Sequence, residues 1–347
     1  MEIAHSFWMQ RCLQLAVLGE GATAPNPMVG AVLVHEGRVI GEGYHRRFGE
    51  AHAEVNCVAS VREEDYGLVR VATMYVSLEP CAHFGKTPPC TELIISHQIP
   101  RVVIGCEDPF AAVSGKGIVR LREAGVDVVT GVLETECMRL NRRFFTFHLR
   151  KRPYLILKWA RSRDGFIALP GLRKVRISSV LTDRLVHRWR SEEAGILIGS
   201  HTAEYDDPAL TTRLWTGPSP IRIVLDRSGR LPDYLRVFQG STPTMVFTRD
   251  VQRRKGATEW LSVFPPQRFL EEVMGILHER QVLSVIVEGG AGVLEAFIRA
   301  GLWDEARIIT GEGYLRDGLR EPILEGGAPV KEFAVGSDLV RFFEHQS

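Results

Sequence analysis

His52-Ala53-Glu54 and Pro80-Cys81-Ala82-His83-Phe84-Gly85-Lys86-Thr87-Pro88-Pro89-Cys90 are the stretch whose reading decides the fold. Together they offer the His52 imidazole and two thiols, with a carboxylate two positions from that imidazole. Three nitrogen and sulfur ligands leave one corner of a tetrahedral zinc open, as in catalytic rather than structural sites. Such a metal lowers the pKa of bound water to about 7, which makes a nucleophile at neutral pH. A nearby glutamate that does not ligate can carry protons to a leaving amine. Taken singly, His52, Cys81 and Cys90 read as a half-buried histidine and two core cysteines. Their joint placement argues otherwise: a helix start, a strand end and another helix start are where an open α/β sheet builds its site.

Working outward, the flanking pattern supplies those elements. Residues 2–20 carry Phe7, Trp8, Cys12, Leu13, Leu15 and Ala16 at helical spacing. Pro25-Asn26-Pro27 follows as a turn, since each proline forces its predecessor to extended geometry. Residues 31–35 and 39–43 form a predicted strand pair about Glu36-Gly37. A helix is expected over 52–61 and a buried strand over 72–78, which delivers Cys81 at its end. The next helix, over 90–98, starts at Cys90, where the dipole favours a thiolate. Strands at 101–106 and 126–130, with helices at 116–124 and 134–149, complete an alternating pattern. Lys151-Arg152-Pro153 marks a boundary, so domains are expected at 1–150 and 151–347. Beyond it the alternation restarts, with strands at 154–160, 195–198, 221–225, 244–248, 283–288, 305–310 and 339–344. Helices are predicted at 183–193 and 293–300.

Bulk properties agree with two soluble domains. A chain of 347 residues exceeds one ordinary core, and 45% hydrophobic with 24% charged residues is a globular composition. A formal net charge of +1 gives no long-range field toward nucleic acid or anionic membrane. No apolar run reaches the ~20 residues of a membrane helix. The N-terminus lacks a signal peptide's basic start and apolar core. Cys12, Cys57, Cys106 and Cys137 are expected as reduced thiols, and the setting as cytoplasmic.

The pattern H-x-E followed by P-C-x-x-C marks zinc nucleobase deaminases. Here the second cysteine lies nine positions after the first, not three. With that spacing the segment resembles the riboflavin-biosynthesis pyrimidine deaminase branch of the cytidine-deaminase-like superfamily, whose loop reads P-C-x-H-x-G-x-T-P-P-C. The resemblance implies a three-layer α/β/α domain with one zinc per chain on His52, Cys81 and Cys90. It implies Glu54 as the catalytic acid–base. Asn26, His45, His83 and Lys86 would contact the base and phosphoribosyl group of the substrate. One departure is Phe110, where the family often has a substrate-contacting asparagine.

In the second half, the segment from Arg152-Pro153 through Lys158, Ala160 and Ser162 to Asp164-Gly165 is similar to the reductase domain of the same pathway. So are Gly199, Thr202, the run 206–213, Arg222 to Asp226, and Glu288-Gly289-Gly290-Ala291-Gly292. That resemblance implies a dihydrofolate-reductase-like α/β fold and NADPH as cofactor. A strand ending in glycines that opens a helix presents bare N–H groups to a pyrophosphate. Gly290, Ala291, Gly292, Ala160, Thr202 and Asp206 would hold the cofactor. Arg176, where a tryptophan is common, would either stack on it or pair with its phosphates. Arg163 stands where leucine is common. Lys158, Arg190, Leu210, Arg213 and Glu288 would line the substrate.

The expectation is a bifunctional enzyme acting on a phosphoribosyl pyrimidine, as a homodimer, with no nucleic-acid or membrane partner. The rival is a zinc deaminase of another base or nucleotide, with a degenerate reductase-like domain used only for binding or assembly.

Overall fold

In the computed structural model, residues 4–82, 88–110, 113–172 and 175–346 are described. The chain forms two compact units, Met1–Lys151 and Arg152–Ser347.

The first unit is built on β1 (Gly30–His35), β2 (Arg38–Tyr44), β3 (Thr73–Leu78), β4 (Arg101–Cys106) and β5 (Asp127–Val129), in the order β2-β1-β3-β4-β5. β1 runs antiparallel to β2 and β3, while β3, β4 and β5 are parallel. β3 and β4 are buried at every residue after the first because both of their faces are covered. Ala31, Leu33, Met74, Val76, Val102 and Ile104 point to one face. There they meet α2 (Ala53–Ala59), α3 (Cys90–Ser96) and α4 (Lys116–Glu123). The alternate residues meet α1 (His5–Ala16) and α5 (Glu134–Leu140), which contact β1, β3 and β4. The result is the three-layer α/β/α arrangement anticipated from the sequence.

Two helices differ from expectation. The first ends at Ala16 and tightens into a 3-10 turn over Val17–Gly19. The helix expected over 134–149 is two, α5 and α6 (Arg142–Arg150), broken at Asn141. Asn141 is buried; its amide nitrogen donates to Met28 O at 2.8 Å and its carbonyl accepts from Met28 N at 2.8 Å. An asparagine that pairs with a distant backbone in this way leaves the helical path.

The second unit holds a sheet ordered β11-β12-β10-β9-β8-β13-β6-β14-β17-β16. Its strands are β6 (Tyr154–Arg161), β8 (Gly195–Gly199), β9 (Ile221–Leu225), β10 (Thr244–Thr248), β11 (Arg253–Lys255), β12 (Thr258–Ser262), β13 (Ser284–Val287), β14 (Glu305–Thr310), β16 (Gly327–Val335) and β17 (Asp338–His345). A small pair, β7 (Phe166–Ala168) with β15 (Leu319–Arg320), lies apart from it. From β12 to β14 the strands are parallel. Leu155, Leu157 and Trp159 pack into one core, and Tyr154 and Ile156 into the other, so both faces are buried. The helices are α7 (Val180–Glu192), α8 (Ser200–Asp206), α9 (Phe269–Glu279) and α10 (Ala291–Arg299). Sequence reasoning omits β7, β11, β12, β15, β16, α8 and α9. β16 is largely exposed, so it lacks an apolar stripe to read. Among the described residues, no helix is long and apolar enough to cross a membrane.

Candidate functional site

Three chain segments meet in the first unit. His52 is the N-cap of α2, in extended backbone, so its ring projects from the helix start. β3 leads through Glu79-Pro80 to Cys81, and Cys90 opens α3. The His52 Nδ1 lies 3.6 Å from Cys81 Sγ and 3.4 Å from Cys90 Sγ. Ligand atoms on a tetrahedral zinc with one nitrogen and two sulfurs stand about 3.6 Å apart. The donor set and its spacing therefore fit zinc. Among the described residues, it is the one group of three or more His, Cys or carboxylate side chains placed to hold a metal.

The surroundings sharpen the chemistry. Glu54, in the first turn of α2, is 3% exposed. Burial, with the charge of Cys81 adding to it, raises its carboxyl to about 7. A carboxyl near 7 can both hold and release a proton at neutral pH. The Cys90 thiol donates to Cys81 and, despite the opposing effect of burial, holds it down to about 4. Cys90 N also donates to Cys81 Sγ at 3.3 Å, while the same sharing and burial push Cys90 up.

His45 is buried, and its ring stands 5.5 Å from that of His52. Its Nδ1 donates to Ala51 O at 3.1 Å, which leaves Nε2 to accept from Asn26 Nδ2 at 3.2 Å. Burial lowers its pKa, in keeping with that neutral tautomer. The structure thus brings together Asn26, His45, His52, Glu54, Cys81 and Cys90. His83 and Lys86 lie outside the described residues. Phe110 is 40% exposed, with its ring 5.0 Å from that of His148.

The second unit contains a cavity of about 950 Å³ at the carboxyl ends of β6, β8, β9 and β13. Open parallel sheets bind ligands there. Ala160, Arg176, Thr202, Asp206, Gly290, Ala291 and Gly292, all expected to hold the cofactor, line it. Gly290 is the N-cap of α10, and its N–H donates to Thr202 Oγ1 at 2.9 Å. The first N–H groups of α10 have no partner within the helix and are suited to a phosphate. Arg176 pairs with Asp183 and donates to Ser178 O at 3.1 Å.

Of the residues expected at the substrate, Lys158 and Glu288 line the cavity. Arg190 grips Glu288 through two bonds of 2.9 and 2.8 Å, and Lys158 Nζ stands 3.5 Å from the same carboxylate. Burial would raise Glu288, but Arg190 and Lys158 outweigh it and hold it at about 2. Arg213 is exposed, and its N–H donates to His187 Nδ1 at 3.1 Å. Leu210 is 2% exposed, with its side chain in the core. Arg227 and Phe269 also line the cavity and were missed. Phe269 opens α9, whose signal was Pro265-Pro266 just before an amphipathic run.

Comparison with known proteins gives the family. Residues 2–106 match the cytidine and deoxycytidylate deaminase zinc-binding region, and residues 153–328 the RibD C-terminal domain. The riboflavin biosynthesis protein RibD of Aquifex aeolicus is 39% identical, over 97% of this chain and 97% of its own. The chain belongs to the RibD family. It is a bifunctional deaminase and reductase of riboflavin biosynthesis, with zinc and NADPH as its cofactors. RibD of Bacillus amyloliquefaciens is 40% identical, over 89% of each chain. Among solved structures, a Thermotoga maritima diaminohydroxyphosphoribosylaminopyrimidine deaminase/5-amino-6-(5-phosphoribosylamino)uracil reductase has a TM-score of 0.89 at 35% identity, covering 98% of both chains. Acinetobacter baumannii RibD has a TM-score of 0.88 at 30% identity, covering 99% of both. The expected fold pair is the one found, and the rival with a merely binding second domain falls away.

Proposed function

We propose that residues 1–150 deaminate 2,5-diamino-6-ribosylamino-4(3H)-pyrimidinone 5′-phosphate and that residues 151–347 reduce the ribosyl group of the product to ribityl. The observation that carries the first step is the convergence of His52, Cys81 and Cys90 beside a buried Glu54. These three residues would hold zinc, which supplies an activated water when bound. Glu54 moves one proton from the water to the ring nitrogen and then a second, from the new C2 hydroxyl, to the departing amine. The C2–N bond breaks, a carbonyl forms, and ammonia leaves. Asn26 and the neutral His45 orient the pyrimidine, with His83 and Lys86 toward the phosphoribosyl group.

In the second step NADPH, when bound, would supply a hydride to C1′ of the opened sugar, with a proton from solvent completing the reduction. Gly290, Ala291, Gly292, Ala160, Thr202, Asp206 and Arg176, which line the cavity, would hold the cofactor. Lys158 and Glu288, aligned by Arg190, face the reacting end of the cavity. Arg213 and the backbone at Leu210 bind the substrate, the arginine gripping phosphate. We further place the enzyme in the cytoplasm as a homodimer, which light scattering on the purified protein would measure.

Glu54→Gln tests the two-site reading. Ammonia release should fall by at least 10²-fold, while NADPH oxidation with the deaminated substrate stays intact. Loss of both together would break it.

A further inference from the structure

Glu79 is the residue between β3 and the metal-binding Cys81 that the mechanism does not use. It is 4% exposed. Its carboxylate accepts four main-chain N–H bonds, all from one segment of the chain. Oε2 takes those of Asp108 at 3.1 Å and Gly115 at 3.0 Å. Oε1 takes those of Gly117 at 2.8 Å and Ile118 at 3.2 Å. The same residue's N–H donates to Cys106 O at 3.0 Å, which extends the β3–β4 ladder past its last strand residue.

The acceptor count decides what this carboxylate is for. Four N–H donors use its lone-pair sites fully. A buried charge met only by amides is costly unless every bond is made. Such a group ties one backbone to another with little freedom. Here one side of the tie is the Glu79-Pro80-Cys81 segment, two residues from a metal ligand. The other is the segment from the end of β4 to the start of α4, which carries Asp108 and Phe110. The two are in direct contact: a Cβ on Gly117 would stand 2.1 Å from Pro80 O.

We infer that Glu79 is a positioning residue for deamination: its carboxylate holds Asp108 and the start of α4 at residues 115–118 in register with Cys81, and so fixes how Cys81 is presented to the metal. Glu79 touches neither metal nor substrate. The inference rests on Cys81 being a metal ligand.

Glu79→Gln keeps the shape but turns one acceptor oxygen into a donor that faces two N–H groups. In the full-length enzyme this variant should keep about one zinc per chain and unchanged NADPH oxidation. Its deaminase kcat/KM should fall at least ~10-fold, about 1.4 kcal/mol. With cobalt in place of zinc, its visible absorption bands should shift relative to wild type, because Cys81 is held differently. Deaminase activity within about twofold of wild type would overturn the inference. A loss matched by an equal loss of zinc would also overturn it, since Glu79 would then be only structural. Should Glu79→Gln fail to fold, Glu79→Asp, which keeps the charge, is read by the same criteria. If neither variant folds, the positioning role is rejected in favour of a purely structural one. Cys81→Ser alongside separates the premise: zinc retained there sinks the ligand assignment, whatever Glu79 does.

Discussion

At Glu288 one carboxylate is gripped by Arg190 and approached by Lys158, with all three side chains at 14% exposure or less. Removing the negative partner leaves two buried cations facing each other. Glu288→Gln is therefore expected to cost about 3–5 kcal/mol and to lower the urea midpoint of the second unit. An unchanged midpoint would show that the pair adds nothing. The same residue sets a pH limit. Its folded pKa of about 2 lies below its ordinary value of 4.5, so its stabilisation is full above that value and is lost as pH falls toward 2. His187 acts earlier. Burial, and then Arg190 and Arg213, lower it from 6.5 to about 4, so the unfolded chain takes up its proton first and stability falls as pH drops through that window. Tryptophan fluorescence should follow this, because Trp159, Trp189, Trp215, Trp260 and Trp303 all belong to the second unit. A urea midpoint that stays level from pH 7 to pH 4 would contradict it.

Two short elements place the ligand-binding groups, and each can be probed. The break between α5 and α6 exists because Asn141 is bonded twice to Met28, two positions from Asn26. Asn141→Ala strands the part-buried N–H and C=O of Met28, at about 1 kcal/mol or more. It should also loosen the Pro25-Asn26-Pro27 turn. Deaminase KM is expected to rise several-fold with kcat little changed; an unaltered KM would detach the turn from substrate binding. At the start of α10, a Cβ on Gly290 would stand 3.3 Å from Thr202 Oγ1. Gly290→Val crowds the N–H groups that suit a phosphate. The KM for NADPH should rise about 10-fold or more, roughly the 1.4 kcal/mol of one lost contact, while ammonia release is untouched. Wild-type NADPH kinetics would move the cofactor off this turn. Elements of this kind were unevenly legible. β9, β10 and β14 have the bounds their apolar runs predict, because both faces of those strands are buried. The α5–α6 break was not visible, because its cause lies across the fold at Met28.

For the whole molecule, the His52, Cys81 and Cys90 group placed to hold a metal belongs to Met1–Lys151 and the cavity residues to Arg152–Ser347. Each activity has its own core and its own cofactor. Chelation of zinc should therefore stop ammonia release while NADPH oxidation with the deaminated substrate continues at near its original rate. A parallel loss of both activities on chelation, restored together by zinc, would show that the second unit needs the first unit's metal. What the amino-acid sequence determined alone is the chemistry that depends on residue type at short spacing. His52, Glu54, Cys81 and Cys90 sit at element ends, and element ends follow from local pattern. The glycine turn at 289–292 is legible for the same reason. Only the tertiary structure decided that Cys90 donates its N–H to Cys81, that Leu210 turns into the core, and that Arg227 and Phe269 reach the cavity. It also decided that Glu79 serves a segment some thirty residues away. Burial and hydrogen bonding between distant segments settle such matters, and neither leaves a periodic trace in the chain.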